Sequence, residues 1–394
     1  MTTKFASLFS GCGGLDLGFI QAGFKCIAAF DIDKNAVETY KKNIANHVHQ
    51  LDIGKDIDEV VSKVKGADVL VAGPPCQGFS TAGKNDPKDL RNSLLLKTAE
   101  IAIKSQPRVV LIENVKGLLS PQFRGYLNTL IKQLSDNGYS VTFRVVKATE
   151  FGIPQNRSRV IILAARNAQP IDLNFPKYRL KTLKEILSGL ESTSSNKFRP
   201  LAVDSIEARI AQHIQPGQKL SNVRGGEAAV HTWDIPEVFG YVSEHEKAVL
   251  ESIMLVRRQK RRRPTGDADP VLPQDISQAV GFPADRVLEN LITNGYVRKV
   301  DDCYDLTNTF NGKFRRLKWD GLAPTVDTRF GQPRYFLHPT EHRGFSVREA
   351  ARIQGFPDSF HFDVSDSVAY RLVGNAVPPP MAKAIALLIK KSRF

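Results

Sequence analysis

Six short apolar runs, spaced by amphipathic stretches, fill the first 165 residues, and few folds accommodate that alternation. The runs Lys4–Phe9, Lys25–Phe30, Asp68–Ala72, Arg108–Ile112, Tyr139–Val146 and Arg159–Ala165 predict strands. Between them, Leu15–Ala22 stops at Gly23, Lys34–Asn46 follows, and Pro121–Asn137 opens on proline and closes before Gly138; these predict helices. Strand, helix, strand successions return each strand parallel to the last, with helices covering both faces. The expected class is α/β, a doubly wound, mostly parallel sheet.

After about Arg166 the alternation stops, and an irregular stretch rich in Ser, Pro, Gly and basic residues runs to about Thr340. Regular character then returns, with helices predicted at Val347–Gln354 and Met381–Lys391. The expected division is 1–170, a second and smaller domain at 171–339, and a C-terminal segment 340–394 of regular character. Inside the second domain, Gln274–Val280, a turn at Gly281 and Phe282, Ala284–Thr293 and Tyr296–Leu306 follow the order of a winged helix, spanning 272–308. Two ordinary helices and a hairpin packed locally would give the same order.

Apolar runs such as Val160–Ala165 and Ala384–Ile389 fall far short of the ~20 residues of a bilayer span. No basic segment leads into an apolar signal core. A cytoplasmic protein with no membrane partner is expected. Lys plus Arg exceed Asp plus Glu by 14, which points to an anionic partner such as nucleic acid. Arg257, Arg258, Lys260, Arg261, Arg262 and Arg263 make six cations in seven positions, and Lys313–Lys318 holds four in six. Each run suits phosphate contact or a solvated face. Cys12, Cys26, Cys76 and Cys303 form no C-x-x-C pair, so neither a metal site nor a disulfide framework is expected.

The chemistry-bearing residues gather at predicted strand ends. Phe9-Ser10-Gly11-Cys12-Gly13-Gly14-Leu15 follows the first strand, where glycines let backbone approach a ligand. Asp31 ends the second strand, placed to accept ribose hydroxyls, and Asp52 follows the next apolar stretch, placed to receive an adenine amino group. The spacing is not G-x-G-x-x-G and no phosphate loop is present, which favours an adenosine without phosphates. Gly73-Pro74-Pro75-Cys76-Gln77-Gly78-Phe79-Ser80 presents Cys76 on a turn stiffened by two prolines. The bland alternative for Cys76 is a small buried hydrophobe. Glu113 follows the run Arg108–Ile112, and Arg157 and Arg159 stand at alternating positions, so only one of them is expected to face a given pocket. Taken singly, Glu113 and Arg159 suit a structural ion pair; with Cys76 they make a nucleophile, an acid and a cation.

With these motifs in this order, joined by Arg348-Glu349-x-x-Arg352-x-Gln354-x-Phe356-Pro357 and Gly374-Asn375-Ala376-Val377-Pro378, the chain resembles the DNA (cytosine-5) methyltransferase family. The resemblance implies S-adenosyl-L-methionine as methyl donor and a fold of the methyltransferase Rossmann-like kind. It makes the first domain catalytic and cofactor-binding and the second a target-recognition domain. It implies cofactor contacts at Phe9 to Leu15, Asp31, Ile32, Asp52, Ile53, Gly73, Pro74 and Leu94, with Asn375, Ala376 and Val377 packing back on the glycine-rich turn. Ile32 departs from the aromatic ring that some members stack on adenine. The resemblance also implies Cys76 attack on cytosine C6, Glu113 at N3, Arg159 at O2 and Arg157 in support. The target base must leave the duplex, and Ser80, Lys84, Lys88 and Arg91 lie in a loop suited to covering it and touching DNA. An ordinary polar connector is the other reading of that loop. Double-stranded DNA is the expected partner, read in a specific sequence by a monomer, with a cognate restriction endonuclease acting on the same site. The rivals are a tRNA cytosine-5 methyltransferase, against which stands the absence of a Cys-Phe-Thr tripeptide, and a non-catalytic DNA-binding regulator.

Overall fold

The chain alternates β1 (Lys4–Leu8), α1 (Gly14–Gln21), β2 (Lys25–Asp31), α2 (Lys34–Asn43), β3 (Val48–Gln50), α3 (Ile57–Val64), β4 (Val69–Ala72) and α4 (Ser93–Ser105). It continues with β5 (Val109–Val115), α5 (Arg124–Ser135), β6 (Tyr139–Lys147), a two-residue β7 (Gln155–Asn156), β8 (Ser158–Arg166) and α6 (Leu183–Leu187). The computed structural model describes residues 2–75, 92–190, 196–198, 200–262 and 268–392. Seven strands form one sheet in the order β3-β2-β1-β4-β5-β8-β6, parallel except for β8, which runs against both neighbours. The doubly wound α/β class is therefore present.

Strand periodicity explains the two covered faces. Val69, Val71, Val109, Leu111 and Leu163 point into one apolar layer, and Leu70, Ala72, Val110, Ile112 and Ile162 into the other. With both faces buried these strands read as continuous apolar runs. Helices α3 and α4 are not among the helices predicted from sequence; α3 fills the gap between the second and third apolar runs and α4 that between the third and fourth.

Two compact units are present. One comprises Met1–Asn196, Leu322–Thr328 and Val347–Phe394, the other Lys197–Gly321 and Arg329–Ser346. The expected cuts at 170 and 339 are corrected by this division. Beyond 170 the chain is irregular but still belongs to the first core: Ile171 and Leu173 are buried beneath the sheet, and Arg144 donates to the Leu173 carbonyl at 2.8 Å.

The second unit holds α7 (Ile206–His213), β9 (Lys219–Ser221), β10 (Ala229–His231), α8 (Pro236–Phe239), α9 (Glu244–Gln259), α10 (Pro273–Val280), α11 (Asp285–Thr293), β11 (Val297–Val300), β12 (Cys303–Leu306) and β13 (Arg315–Arg316). After β14 (Ala323–Pro324) of the first unit, it ends with β15 (Phe336–Leu337). Here α9, α10 and α11 share a core with the β11–β12 hairpin, and Val271 bridges Tyr304 as a third short strand. Helix, strand, helix, helix and two-stranded wing is the winged-helix arrangement.

The first unit closes with α12 (Val347–Ile353), α13 (Asp366–Asn375) and α14 (Pro379–Lys391). The stretch Asp366–Lys391 is long and apolar enough for a membrane span by composition. It is two helices broken at Ala376–Pro378, and Met381, Ile385 and Ile389 lie in the core. Helix α14 lies directly on α1, which glycine permits. A methyl group added at Gly18 would stand 2.4 Å from Ala382 Cβ and 2.6 Å from the Lys383 nitrogen and the Pro379 carbonyl oxygen.

Gly18→Ala is therefore expected to destabilise the protein. Alanine gains about 1 kcal/mol of helix propensity, but overpacking against backbone costs about 1–3 kcal/mol and forces α14 to shift. Urea unfolding should show a net loss; equal or greater stability would disprove the close contact.

Candidate active site

In a parallel sheet the loops at the carboxyl ends of the strands converge on one edge. The reversed β8 adds its beginning to that edge. Arg159 stands opposite Val115 in the antiparallel ladder, diagonal to Glu113, and its Nε lies 2.8 Å from Glu113 Oε1. Both side chains are largely buried. Glu113 also faces the turn after β4: a Cβ at Gly73 would lie 4.0 Å from Glu113 Oε2 and 3.7 Å from the Phe9 carbonyl oxygen. The Asn114 amide donates to the Pro74 carbonyl at 3.4 Å, tying the Pro-Pro turn to the end of β5. Cys76, the next residue but one, lies outside the described residues, as do Ser80, Lys84, Lys88 and Arg91.

The arginine pair divides its work, though not by alternation: residues two apart on one strand share a face, and Arg157 diverges because it lies in the break between β7 and β8. Arg159 meets Glu113, whereas Arg157 turns the other way, 2 % exposed, and donates to the carbonyls of Gly374 at 3.0 Å and Ala376 at 2.8 Å. A guanidinium so placed positions the C-terminal segment, a place in support of the pair's other arginine. Gln155 strengthens the same clasp. Its amide donates to Gln354 Oε1 at 2.8 Å, and Gln354 donates to the Ala376 carbonyl at 2.6 Å.

That clasp sets Ala376 and Val377 against the glycine-rich turn. A Cβ at Gly14 would meet the Val377 carbonyl oxygen at 2.5 Å and Ala376 Cβ at 3.0 Å. Asn375 is exposed and Val377 buried. The turn itself takes positive φ at Phe9, Gly11 and Gly13, of 55°, 56° and 94°. At Gly13 a side chain would strike Ile44 and Tyr40, while the space beyond Gly11 is open. Asp31 accepts from the backbone nitrogens of Gly11 at 2.8 Å and Asp33 at 2.9 Å, which fixes its carboxylate beside the turn. Burial raises its pKa, and those two hydrogen bonds oppose the rise. Ile32 is 64 % exposed, Ile53 is buried, and Asp52 Oδ1 accepts from Gly54 at 3.0 Å. Leu94 borders the same spot, 3.1 Å from where a Gly54 Cβ would be.

An open glycine turn, two carboxylates with acceptor capacity left and the apolar Ile32 and Leu94 fit an adenosine-bearing group. Two predicted contacts need correction. The Cys12 thiol points inward to the Leu372 carbonyl, with burial raising its pKa to about 12. Leu15 belongs to the apolar core. Both can offer only backbone to a ligand. Ser10 is likewise nearly buried.

The basic run is also corrected. Arg257 is buried, 2.9 Å from Asp305, and Lys260 pairs with Asp275. Arg258, Arg261 and Arg262 are exposed, and Arg263 lies outside the described residues. Sequence reasoning missed Asp33, whose carboxylate pairs with Arg371 and so ties α13 to the end of β2. It also missed Asp16, a fully buried carboxyl in α1; the signal was an acidic residue within an otherwise apolar, glycine-rich helix.

Comparison with known proteins places this geometry. A profile of C-5 cytosine-specific DNA methylases matches residues 3–391. The type II methyltransferase M.HgiBI of Herpetosiphon aurantiacus is 30% identical over 430 residues, covering 97% of this chain and 95% of the relative. The type II methyltransferase M.NlaIV of Neisseria lactamica is 30% identical over 423 residues and 97% of each chain. Among solved structures, the S. pombe Dnmt2 methyltransferase superposes over 100% of both chains with a TM-score of 0.56 at 17% identity, a likeness of fold.

Asp16 gives this region a pH dependence. Burial raises its pKa from 3.8 to about 7, with the Ser7 hydroxyl offsetting part of the rise. The folded chain thus keeps a proton that the unfolded chain loses, and stability falls as pH rises from about 4 to 7. Asp16→Asn should remove up to on the order of 4 kcal/mol of this penalty at pH 8. Melting temperatures should favour the variant at pH 8 and converge with wild type near pH 4; a constant difference would show that the carboxyl does not titrate in this range.

Proposed function

The chain belongs to the C-5 cytosine-specific DNA methylase family, and from that premise we propose that it methylates C5 of a flipped-out cytosine in a specific duplex DNA sequence, with S-adenosyl-L-methionine as donor. The observation that carries the proposal is the Arg159–Glu113 pair at the carboxyl edge of the sheet, beside the Pro-Pro turn that leads to Cys76. Its relatives are type II methyltransferases, which favours a cytoplasmic modification enzyme that works as a monomer and shares its site with a restriction endonuclease.

Bound S-adenosyl-L-methionine supplies an electrophilic methyl group. Phe9 to Gly14, Asp31, Asp52 and Leu94 would hold its adenosine part, with Ile32 giving an apolar contact in place of a stacked ring. Residues 376–377 would help close the site. Cytosine C5 is too weak a nucleophile by itself, so the Cys76 thiolate adds to C6 and the displaced electron pair moves into the ring. Glu113, hydrogen-bonded at N3, and Arg159, at O2, stabilise the charge that arrives there. The ion pair keeps both groups oriented before the base enters. Once C5 carries its fourth substituent, loss of the C5 proton to a base expels Cys76 and restores the aromatic ring. This chemistry needs the base outside the stack, at a cost of a few kcal/mol. Ser80, Lys84, Lys88 and Arg91 are proposed as DNA contacts of a covering loop, and Arg258, Arg261 and Arg262 as phosphate contacts of the second unit.

Transfer of labelled methyl groups to duplex DNA, with tRNA in parallel, tests the reading. Incorporation is expected in DNA alone; incorporation in tRNA alone would overturn the substrate. Cys76→Ala should lower the rate by about 10³ or more, and Glu113→Gln by about 10²–10⁴. Undiminished transfer by Cys76→Ala would sink the covalent mechanism. Asp31→Ala should weaken binding of S-adenosyl-L-methionine far more than binding of DNA, and equal loss of both would reduce Asp31 to a structural role.

A further inference from the structure

The second unit offers two surfaces to an anionic partner, and its fold draws attention to the wrong one. A winged helix commonly presents its last helix to DNA. Here the exposed side chains of α11 include Asp285, Arg286, Glu289 and Asn290, and the wing turns at Asp301 and Asp302. On α11 carboxylates outnumber cations, and on the wing Asp301 and Asp302 offset Arg298 and Lys299, so neither feature carries a surplus of positive charge to draw phosphates.

A different surface gathers unopposed positive charge. The segment 312–317 hydrogen-bonds to β9 on one side and to 334–337 on the other: Leu220 N donates to Lys313 O at 2.8 Å, and Arg315 N to Tyr335 O at 3.0 Å. This ladder brings cations from three separate stretches together. Lys219 and Arg315 both reach Gly312, where a Cβ would lie 3.7 Å from Lys219 Cδ and 3.8 Å from an Arg315 terminal nitrogen. Lys313 Nζ stands 3.9 Å from the centre of the Tyr335 ring, which Arg329 also approaches at 5.1 Å, and Arg334 lies over Phe310 at 5.5 Å. These ring contacts hold long cationic side chains in place before any partner arrives. Among the described residues Lys219, Lys313, Arg315 and Arg334 have no carboxylate partner. Arg316, between two of them, is different: it is buried and donates to the carbonyls of Ile214, Ala211, His338 and Glu341.

We propose that Lys219, Lys313, Arg315 and Arg334 form the surface by which the second unit grips the phosphate backbone of duplex DNA, in place of the second helix and wing of its winged helix. The proposal rests on the reading of the chain as a DNA methyltransferase. Burial, and after it the charges of Arg315 and Arg224, hold the Lys219 ammonium below its ordinary pKa. An incoming phosphate would relieve that repulsion, so the cluster is stabilised by the ligand it attracts. Phosphate contacts carry affinity and register without reading sequence.

The test is fluorescence anisotropy of the full chain with a labelled duplex that the wild type methylates, across a range of KCl. The variant K219Q/K313Q/R315Q/R334Q should bind at least about tenfold more weakly, and the slope of log K against log[KCl] should shrink by about 3–4, since each neutralised phosphate contributes about 0.9. The charge-keeping variant K219R/K313R/R315K/R334K should retain wild-type affinity and slope, which separates lost charge from lost folding. Unchanged affinity and slope in the glutamine variant, or equal loss in both variants, would overturn the surface. Failure of the wild type to methylate any duplex would instead bring down the enzyme reading, and this surface with it.

Discussion

One buried guanidinium holds the first unit's two ends together. Arg157 leaves water almost completely, and its guanidinium donates to the carbonyls of Gly374 and Ala376. A buried charge without such partners costs several kcal/mol. Any arrangement that moved the 374–377 segment away would therefore strand the guanidinium. Gln155 and Gln354 extend the same network through a side chain to side chain bond of 2.8 Å. The chain leaves this unit for more than a hundred residues, yet on return it must dock at one register, because only that register supplies those carbonyls.

What that docking builds follows from close approach. Ala376 and Val377 fit against Gly14, and α14 against Gly18, at separations no side chain on α1 would allow. The glycines of the first turn thus serve two surfaces: Gly11 opens outward to ligand space, while Gly14 admits the returning chain. The reversed strand β8 does the complementary work at the reacting end. A parallel β8 would have sent its start, with Arg159, to the far edge of the sheet. Running antiparallel, it lays Arg159 diagonal to Glu113 and sends Arg157 inward from a position two residues earlier.

How much of this was legible in the sequence depended on whether local pattern or distant contact decided the outcome. Six of the seven strands of the sheet were legible as apolar runs, the three-residue β3 being too short to form one, and the ends of β2 and β5 placed Asp31 and Glu113 at one edge. The divergence of Arg157 from Arg159 was not legible, since residues two apart on one strand share a face; the break between β7 and β8 at Arg157 decides it, together with the carbonyls of Gly374 and Ala376. The extent of the first unit beyond residue 170 was not legible, since Ile171 and Leu173 lie in an irregular segment whose burial is set by strands far back in the chain. Arg257 could have been recognised. Leu250 and Ile253 are buried in α9, and seven residues after Leu250 the stripe reaches Arg257 despite its charge. A run of cations invites reading as a surface, and helical periodicity overrules it.

The same lesson governs the second unit, where shape and charge part company. Its winged helix is built by ordinary amphipathic logic, with Val249, Ile276, Leu288 and Val297 filling one core. Nothing in that core requires the outer face of α11 to be cationic, and Asp285 and Glu289 make it otherwise. Affinity for a polyanion depends on where uncompensated charge sits rather than on which motif carries it. In this unit Arg257, Lys260 and Arg298 are neutralised by Asp305 and Asp275, so the module's cations mostly stabilise the module itself. Lys219, Lys313, Arg315 and Arg334, on the small ladder around residues 312–317, have no such partners among the described residues. A chain with a surplus of 14 positive charges can therefore place part of its electrostatic reach on a feature with no recognisable motif, which a search for motifs alone passes over.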